Sequence, residues 1–481
     1  MQYSLIQRIL GLLLMSFSVT LIPPMLVSLW YKDNNLHAFT ISFLVMFALG
    51  LVSWLPARHV KKELYLHDGF IVTSLFWIVL SVVSAVPFLI TPHLNLAQSV
   101  FEAVSGFTTT GATVMSGLDH LPPSILYYRQ QLQWIGGLGV IVFAVAVLPM
   151  LGIGGMQLYR AETPGPMHDD KITPRLQHTV WRFLLTYLVI TVACTLAFWA
   201  AGMSLFDAIA HSYSTVSTGG FSTHDDSLKY FNSVLIEVIA IVFMLLGSLS
   251  FTLHYMSWAQ FDLGRYWRDV QTRVFLYLVI ALVGIITLTL WLNGIYPDFL
   301  TSLRYASFQL ISVMTTTGFL TDDFSQWPLF VPALIILSAF IGGCVGSTAG
   351  GYRVIRLIIL YKQAMRGLMR MIHPNAVFSI KIEGKSVPDN VLQTVWEFTI
   401  WFIASYVILS FLLMATGVDM VSAFSGVATC FTMAGPGLGT VVYSFSGISD
   451  TGLWILSFSM LLGRLEIFPL LVLITPAFWR R

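Results

Sequence analysis

Short turns rich in hydroxyl groups and glycine interrupt this 481-residue chain at four places, each between apolar stretches. The turns are Thr108–Ala112, Val216–Gly220, Thr315–Phe319 and Thr432–Pro436. Oxygen atoms at such turns can replace the water shell of a cation, because rings of backbone carbonyls do this in ion-selective pores. The glycines at their centres are Gly111, Gly219, Gly318 and Gly435. We therefore predict that four re-entrant loops of one chain close around a single axis as a cation filter.

The residues predicted to bind the cation are the glycines of the four turns and their neighbours. They are Thr109, Thr110, Gly111, Thr218, Gly219, Gly220, Thr316, Thr317, Gly318, Ala434, Gly435 and Pro436. Glycine allows a positive φ, so that consecutive carbonyl groups can point to the same side. Ala434 takes the place that we assign to threonine in the other turns, so the ring is not equivalent at that level. Ordinary external turns are the alternative, but four repetitions at matched places favour a filter.

The composition requires a lipid environment. Hydrophobic residues make up 56% of the chain and charged residues 10%, whereas soluble domains carry about 25% charged residues. A membrane helix needs roughly 20 apolar residues. Candidate spans lie at 9–30, 37–56, 69–91, 125–150, 181–202, 232–258, 272–292, 328–361, 390–416 and 450–475. We therefore expect an all-α protein that crosses the bilayer many times.

The last eight spans group into four units around the turns. Each unit has a helix, a short helix of about ten residues that cannot span the bilayer, a turn and a second helix. The predicted boundaries are two extra helices at 1–62 and repeats at 63–175, 176–265, 266–385 and 386–481. The predicted fold class is an all-α polytopic membrane protein with four pseudo-symmetric helix–pore loop–helix repeats around one central pore.

Positive charge predicts the orientation, since Lys and Arg collect on the cytoplasmic side of membrane proteins. With a cytoplasmic N-terminus, that side holds all but five of the 25 Lys and Arg residues. The exceptions are Lys32, Arg129, Lys229, Arg304 and Arg464. We therefore predict that both termini are cytoplasmic and that the four turns face outside.

The eighth span, 328–361, is too long and too rich in glycine for one straight helix. It would extend about 50 Å, whereas the hydrocarbon core is about 30 Å thick. Its centre contains Gly342, Gly343, Gly346, Ser347, Thr348, Gly350 and Gly351. Each glycine costs about 1 kcal/mol against alanine in a helix, so we predict a broken helix whose loop lies beneath the filter as a gate. Close helix packing through small residues is the alternative.

Arg464 lies within the last apolar span, where an arginine costs about 2.5–3.5 kcal/mol at the membrane centre. It should therefore face protein or water. Glu466 is two residues away and is not its neighbour on a helix face. Two interpretations stay open: a buried ion pair with another span, or a fixed positive charge beside the pore that regulates cation occupancy and contacts the gate.

The chain resembles the Trk/Ktr/HKT superfamily of potassium transporters, and within it the TrkH type, over nearly its whole length. The two extra N-terminal spans carry the resemblance together with Thr110-Gly111, Thr218-Gly219-Gly220-Phe221, Thr317-Gly318-Phe319 and Gly435-Pro436-Gly437. It implies potassium as the ion at the filter residues, an intramembrane loop at the glycine-rich break and a pore-facing role for Arg464. Sodium-selective plant relatives have serine at the first glycine, so Gly111 favours potassium.

The resemblance also implies a setting and partners. These are the inner membrane of a bacterium, a homodimer and a cytosolic nucleotide-binding ring of TrkA type that docks on the basic inner face. No complete dinucleotide-binding fingerprint follows a strand, so we expect no organic cofactor on this chain. We expect no nucleic-acid partner either.

The predicted function is gated, potassium-selective uptake, without enzymatic activity. A sodium-permeable or cation-coupled symporter of the same superfamily is the alternative. A haem-bearing or enzymatic membrane subunit would need histidine pairs at matched depth, and His211 and His254 are isolated in the sequence. The spans carry no chain of ionisable residues of the kind that relays protons, which favours a channel-like pathway over proton coupling.

Overall fold

A computed structural model of the chain describes residues 2–60, 66–91, 94–146, 174–376 and 378–480. These residues are almost entirely helical, which confirms the all-α fold class. Strand structure within them is limited to an antiparallel pair, Lys381–Ile382 with Lys385–Ser386. Several predicted features lie outside the described residues, namely the end of the span 125–150, the boundary at 62 and the basic residues Lys61, Lys62, Arg160, Lys171 and Arg481.

One set of helices lies within or close to the predicted spans. Their bounds are Tyr3–Ser18, Ile22–Tyr31, Leu36–Ala57, Leu66–Val83, Val86–Ile90, Pro123–Ala146, Pro174–Ala200, Val234–Ser248, Phe251–Ala259, Val270–Leu292, Val331–Ile341, Val354–Ile372, Asp389–Met414, Asp450–Arg464 and Phe468–Ile474. Shorter helical pieces are Val19–Leu21, Gly264–Arg268 and Pro476–Trp479. In the described part of the chain, six helices are long and apolar enough to cross a membrane, or up to eight if each of two bent pairs is one span.

Four further helices are too short to cross a bilayer, and each leads directly into one of the glycine turns. They are Leu96–Phe107, Leu205–Val216, Phe299–Met314 and Met420–Thr432, here called the turn helices. Each begins at a side-chain cap that accepts a hydrogen bond from the backbone N–H three residues later, which satisfies one of the free donors of a helix start. The caps are Asn95, Ser204, Asp298 and Asp419. A 3₁₀ helix follows each turn, at Leu118–His120, Ser227–Phe231, Phe324–Gln326 and Gly439–Val441.

Two of the predicted spans are sharply bent where we expected continuous helices. The span 232–258 bends by 98° between Ser248 and Phe251, and the span 450–475 bends by 116° between Arg464 and Phe468. At the second bend, Glu466 and Ile467 both have positive φ. At the first bend, the backbone groups that leave the helix form hydrogen bonds with another part of the chain. Because such distant partners cannot be read from local composition, the sequence did not indicate this break.

The eighth predicted span is broken, as its glycine content predicted. Its first helix ends at Ile341 and its second begins at Val354. The connecting residues 342–353, here called the central loop, bond across the first bend. Cys344 N–H donates to Ser248 O at 2.9 Å, and Phe251 N–H donates to Gly346 O at 2.9 Å. The central loop therefore satisfies the backbone that the bend exposes, a requirement for irregular structure at membrane depth.

Candidate functional site

The four turn helices end in the same backbone hydrogen bonds. In the first, Thr110 N–H donates to Ser105 O at 2.8 Å and Thr109 N–H donates to Gly106 O at 3.1 Å. This pair of bonds is the Schellman motif, which places the residue just past the helix in left-handed backbone. The bond that corresponds to Thr110–Ser105 is present in the other three turns. It joins Gly219 N–H to Ser214 O at 2.7 Å, Thr317 N–H to Ser312 O at 2.9 Å and Ala434 N–H to Thr429 O at 2.7 Å.

Each turn has two residues with positive φ, separated by one residue. Their φ values are 60° and 82° at Thr109 and Gly111, 53° and 80° at Thr218 and Gly220, 59° and 88° at Thr316 and Gly318, and 63° and 79° at Met433 and Gly435. Left-handed backbone costs a residue with a Cβ about 1–2 kcal/mol. The threonines and Met433 therefore store strain that the surrounding structure has to hold, a feature that concentrates at functional sites.

This pattern corrects the predicted alignment of the second turn. Gly220, with φ of 80°, is the equivalent of Gly111, whereas we expected Gly219 in that role. Gly219 bonds in the manner of Thr110 and takes the place of a threonine. Two adjacent glycines make both alignments possible in the sequence, and the backbone conformation distinguishes them. Two of the turns, not one, therefore lack threonine at this position.

The four turns meet in a closed ring of backbone contacts. At each contact, a Cβ added to the glycine of one turn would lie no more than 2.9 Å from a carbonyl oxygen of another turn. The pairs of glycine and oxygen are Gly111 with Gly219, Gly220 with Thr317, Gly318 with Ala434 and Gly435 with Thr110. Each turn touches the next in chain order and the fourth touches the first. Any side chain at these glycines would displace a carbonyl of the ring.

In three of the four repeats, a polar residue occupies the same position, nine residues before the positive-φ glycine of the turn. These residues are Glu102, His211 and Gln309. Glu102 accepts from Val114 N–H at 3.0 Å, His211 Nε2 bonds to Ser222 Oγ at 3.0 Å, and Gln309 Nε2 donates to Asp322 O at 2.8 Å. Each therefore holds the segment that leaves its own turn. The spacing was visible in the sequence, but the three residue types differ, so no shared motif revealed it.

Glu102 also forms a buried ion pair with Arg129, with 2.7 Å between Oε1 and Nε. Arg129 Nη1 donates to Ser222 O at 3.2 Å, and Nη2 donates to Thr113 Oγ1 at 3.0 Å. The pair thus joins the segments that follow the first and second turns. Sequence reasoning treated Arg129 as one of five charges outside the basic face and missed this role, because its partner lies on another helix.

One face of the ring opens into a pocket. Its lining consists of residues at and after the glycines, among them Thr113, Ser222, His224, Leu320 and Tyr443. His224 Nδ1 bonds to Asp119, and its Nε2 lies 3.6 Å from Asp207 Oδ1. Its ring stacks on Tyr230 with 3.5 Å between centroids. His224 therefore ties the wall of the pocket to the start of the second turn helix, which carries Asp207.

The central loop contacts the ring from the opposite face. Gly350 N–H donates to Thr316 Oγ1 at 2.7 Å, and Thr348 Oγ1 donates to Val216 O at 3.0 Å. A Cβ on Gly350 would overlap the carbonyl oxygen of Thr432. The loop thus lies against residues that precede the glycines of the second, third and fourth turns. The structure brings together all the residues predicted for the gate, which are Gly342, Gly343, Gly346, Ser347, Thr348, Gly350 and Gly351.

Arg464 is buried and contacts the central loop. Its Nη1 donates to Thr348 O at 3.1 Å and approaches Met433 Sδ at 3.6 Å. Its Nε and Nη2 have no hydrogen-bond partner among the described residues. Glu466 pairs instead with Arg353, at 3.8 Å, and with Arg356. Within the described chain, Arg464 therefore has no carboxylate in ion-pair contact, and the interpretation as a buried structural pair finds no partner.

The two histidines that stood alone in the sequence have polar partners. His211 Nδ1 bonds to Asp207 O at 2.9 Å in addition to its contact with Ser222. His254 bonds to Tyr266 Oη at 2.7 Å and to Leu246 O at 2.8 Å. Both rings are thus engaged in holding local backbone.

Comparisons with known proteins agree on one family. Residues 35–481 match the TrkH family, described as a cation transport protein. The chain is 49% identical to the Trk system potassium uptake protein TrkH of Salmonella typhimurium over 482 residues, which covers all of both chains. It is 42% identical to the Trk system potassium uptake protein TrkG of Escherichia coli, covering 98% of this chain and 97% of that one. These relatives are named as transport proteins and not as enzymes.

A solved structure agrees with the sequence matches. The crystal structure of the potassium transporter TrkH from Vibrio parahaemolyticus superposes with a TM-score of 0.93 at 45% identity, over all of both chains. The similarity therefore extends over the helices, the turns and the central loop together.

We expect the stability of the protein to fall as His224 loses its proton. Burial lowers the pKa of His224, but the nearby carboxylates of Asp207 and Asp119 outweigh burial and hold the pKa above the usual 6.5. When folding raises the pKa of a group, the protonated group stabilises the folded state. This contribution disappears as pH rises through the folded-state pKa. Tm should therefore decline as pH rises from below the usual pKa of 6.5 through the raised folded-state pKa, and His224→Gln should reduce that decline.

The control for this experiment is His37→Gln, since the His37 ring is exposed. It should leave the dependence of Tm on pH as in the unmodified protein. Equal slopes in the unmodified protein and in His224→Gln would show that the contacts of His224 do not stabilise the pocket.

Proposed function

Because the chain belongs to the TrkH family of cation transport proteins, we propose that it is the membrane subunit of a potassium uptake system. Potassium passes through the ring of four turns, and the central loop gates the path on the inner side. The observation that carries this proposal is the closed backbone ring, in which the carbonyls of Thr110, Gly219, Thr317 and Ala434 lie against the glycines of neighbouring turns.

Several features suit such a ring to a cation. The four turn helices end at it, and the C-terminal end of a helix carries roughly half a negative elementary charge from its unpaired carbonyls. Backbone carbonyls replace the hydration shell of potassium without placing a formal charge in the path. The ion is held by the glycines of the four turns and their neighbours, with Gly220 in the position first assigned to Gly219. A sodium-permeable or cation-coupled pathway is the competing outcome of the tests below.

The central loop acts as the gate. It lies against three turns on the face opposite the pocket, through Thr348 and Gly350, so an ion that leaves the ring inward meets it next. Three of its glycines have positive φ, and its buried side chains include Cys344, Thr348 and Tyr352, so opening of the gate has to release these contacts. Arg464 fixes the loop by its bond to Thr348 O and adds a positive charge that opposes cations in the same place.

The orientation follows the charge distribution. The segment from Arg353 to Lys385 carries seven Lys and Arg residues, and the cytoplasmic side of membrane proteins attracts such residues. Both termini are therefore cytoplasmic and the pocket faces outside, in the inner membrane of a bacterium. The relatives are named as parts of a Trk system, so we assign this basic face to a cytosolic nucleotide-binding ring of TrkA type, and the subunit itself to a homodimer.

We predict that Gly111→Ser lowers the ratio of potassium to sodium uptake toward one. A Cβ at this position, where φ is 82°, would collide with the carbonyl oxygen of Gly219 and distort one contact of the ring. Uptake of potassium, rubidium and sodium into vesicles that contain the purified protein measures the ratio.

Gly117→Ser is the matched control for backbone strain. Gly117 has a φ of 70° in the same segment, but a Cβ there would have open space around it. This variant should keep the selectivity of the unmodified protein. An unchanged ratio in well-folded Gly111→Ser protein would remove Gly111 from the filter.

We predict that deletion of Gly346–Gly350 raises basal potassium flux and preserves selectivity. The deletion removes the part of the central loop that contacts the turns and leaves the ring itself intact. Flux should be measured together with the ratio of potassium to sodium. Loss of flux in protein of normal melting behaviour would show that these glycines serve helix packing and not a gate.

We predict that Arg464→Ala raises potassium flux without altering selectivity. The change removes the bond to Thr348 O and a positive charge from the low-dielectric interior, where charge acts strongly on passing cations. Arg464→Lys keeps the charge and should stay near the unmodified flux. A destabilised Arg464→Ala protein with unchanged flux per folded molecule would instead indicate a structural role.

A further inference from the structure

The second turn lacks a side chain that supports the first and third turns. Thr110 Oγ1 bonds to Thr108 Oγ1 at 2.8 Å, and Thr317 Oγ1 bonds to Thr315 Oγ1 at 2.8 Å. Gly219 occupies the corresponding place in the second turn and has no hydroxyl. That part of the ring therefore needs another source of support for its backbone.

Gln133 fills the space that a threonine would take in the second turn. It is fully buried on the helix Pro123–Ala146, which belongs to the first repeat by sequence. Its Nε2 donates to Gly219 O at 2.6 Å, and its Oε1 accepts from Phe221 N–H at 3.1 Å. A Cβ on Gly219 would overlap the Gln133 side chain, whose atoms are the three nearest to that position.

The same helix face holds the next residues of the second turn. Arg129 precedes Gln133 by one helical turn and donates to Ser222 O at 3.2 Å. Its guanidinium lies 4.2 Å from the centre of the Phe221 ring, and Glu102 fixes it from the first turn helix. Two side chains of one helix thus hold residues 219–222, through hydrogen bonds to their backbone and through contact with the aromatic ring of Phe221.

We propose that Gln133 is a positioning residue for cation discrimination, standing in for the missing threonine of the second turn. It acts through the Gly219 carbonyl and the Phe221 amide and does not itself touch the ion. The proposal rests on the proposed function of the ring. The Gly219 carbonyl lies against Gly111, so a shift of this oxygen changes the contact between the first and second turns.

The first test replaces Gln133 by an apolar residue of similar size. Gln133→Leu removes both hydrogen bonds, and we expect the ratio of potassium to sodium uptake to fall about fivefold to tenfold, which corresponds to about one net hydrogen bond. Gln131→Leu is the matched control. Gln131 lies on the same helix, but its Nε2 donates to Thr20 O at 2.9 Å, away from the ring, and its loss should leave the ratio unchanged.

A second test asks for rescue, which a merely structural role would not provide. Gly219→Thr alone should impair the protein because the new side chain collides with Gln133. Gln133→Ala alone should lower selectivity. The two changes together should restore it, because Ser217 stands where Thr108 and Thr315 stand and offers the hydroxyl partner, and Gly219 does not have the positive φ that would exclude a threonine.

Cation-dependent melting provides a readout that does not require flux. At equal concentration, the ion that binds more tightly raises Tm more, so potassium should protect the unmodified protein and the double variant more than sodium does. Gln133→Leu should show nearly equal protection by both ions. A double variant no more selective than Gln133→Ala, or a Gln133→Leu protein with unmodified selectivity, would overturn the role of Gln133. If Gly111→Ser also left selectivity unchanged, the proposed function of the ring as a cation filter would be wrong, and not only the role of Gln133.

Discussion

Close contact between backbones is the constraint on which the rest of this protein depends. Four turns meet with a glycine of one against a carbonyl of another, and a Cβ at any of those four contacts would have to displace a carbonyl oxygen. Irregular backbone within a bilayer must be enclosed by protein or line a water-filled space. The helices therefore surround the ring, and the turn helices deliver its backbone in one repeated conformation set by their Schellman ends.

Asymmetry enters through the side chains that hold the ring. Glu102, His211 and Gln309 occupy one position in three repeats, and each bonds to the segment that leaves its own turn. Two turns are supported by threonine hydroxyls and one by the amide of Gln133. The turns can therefore keep a similar backbone conformation although different side chains hold them. Each of these side chains has only to match the hydrogen-bonding groups of one turn.

The two faces of the ring differ in what they contact. Residues after the glycines line an open pocket with His224 in its wall, and residues before the glycines bond to the central loop. The loop also bonds across the bend at Ser248–Phe251 and accepts a bond from Arg464. Movement of the loop would therefore release contacts to three turns, a bent helix and a buried arginine together.

The sequence by itself determined the membrane environment, the all-α class, the four turns and the break in the eighth span, since composition and glycine density are local properties of the chain. Tertiary structure decided what depends on distant partners. It assigned Gly220, and not Gly219, to the position equivalent to Gly111, because two adjacent glycines cannot be distinguished until their φ values are known. It bent two spans, paired Glu102 with Arg129, placed Gln133 behind Gly219 and left Arg464 bonded to the central loop. Such contacts join residues on different helices, and residue type and spacing do not specify which helices meet.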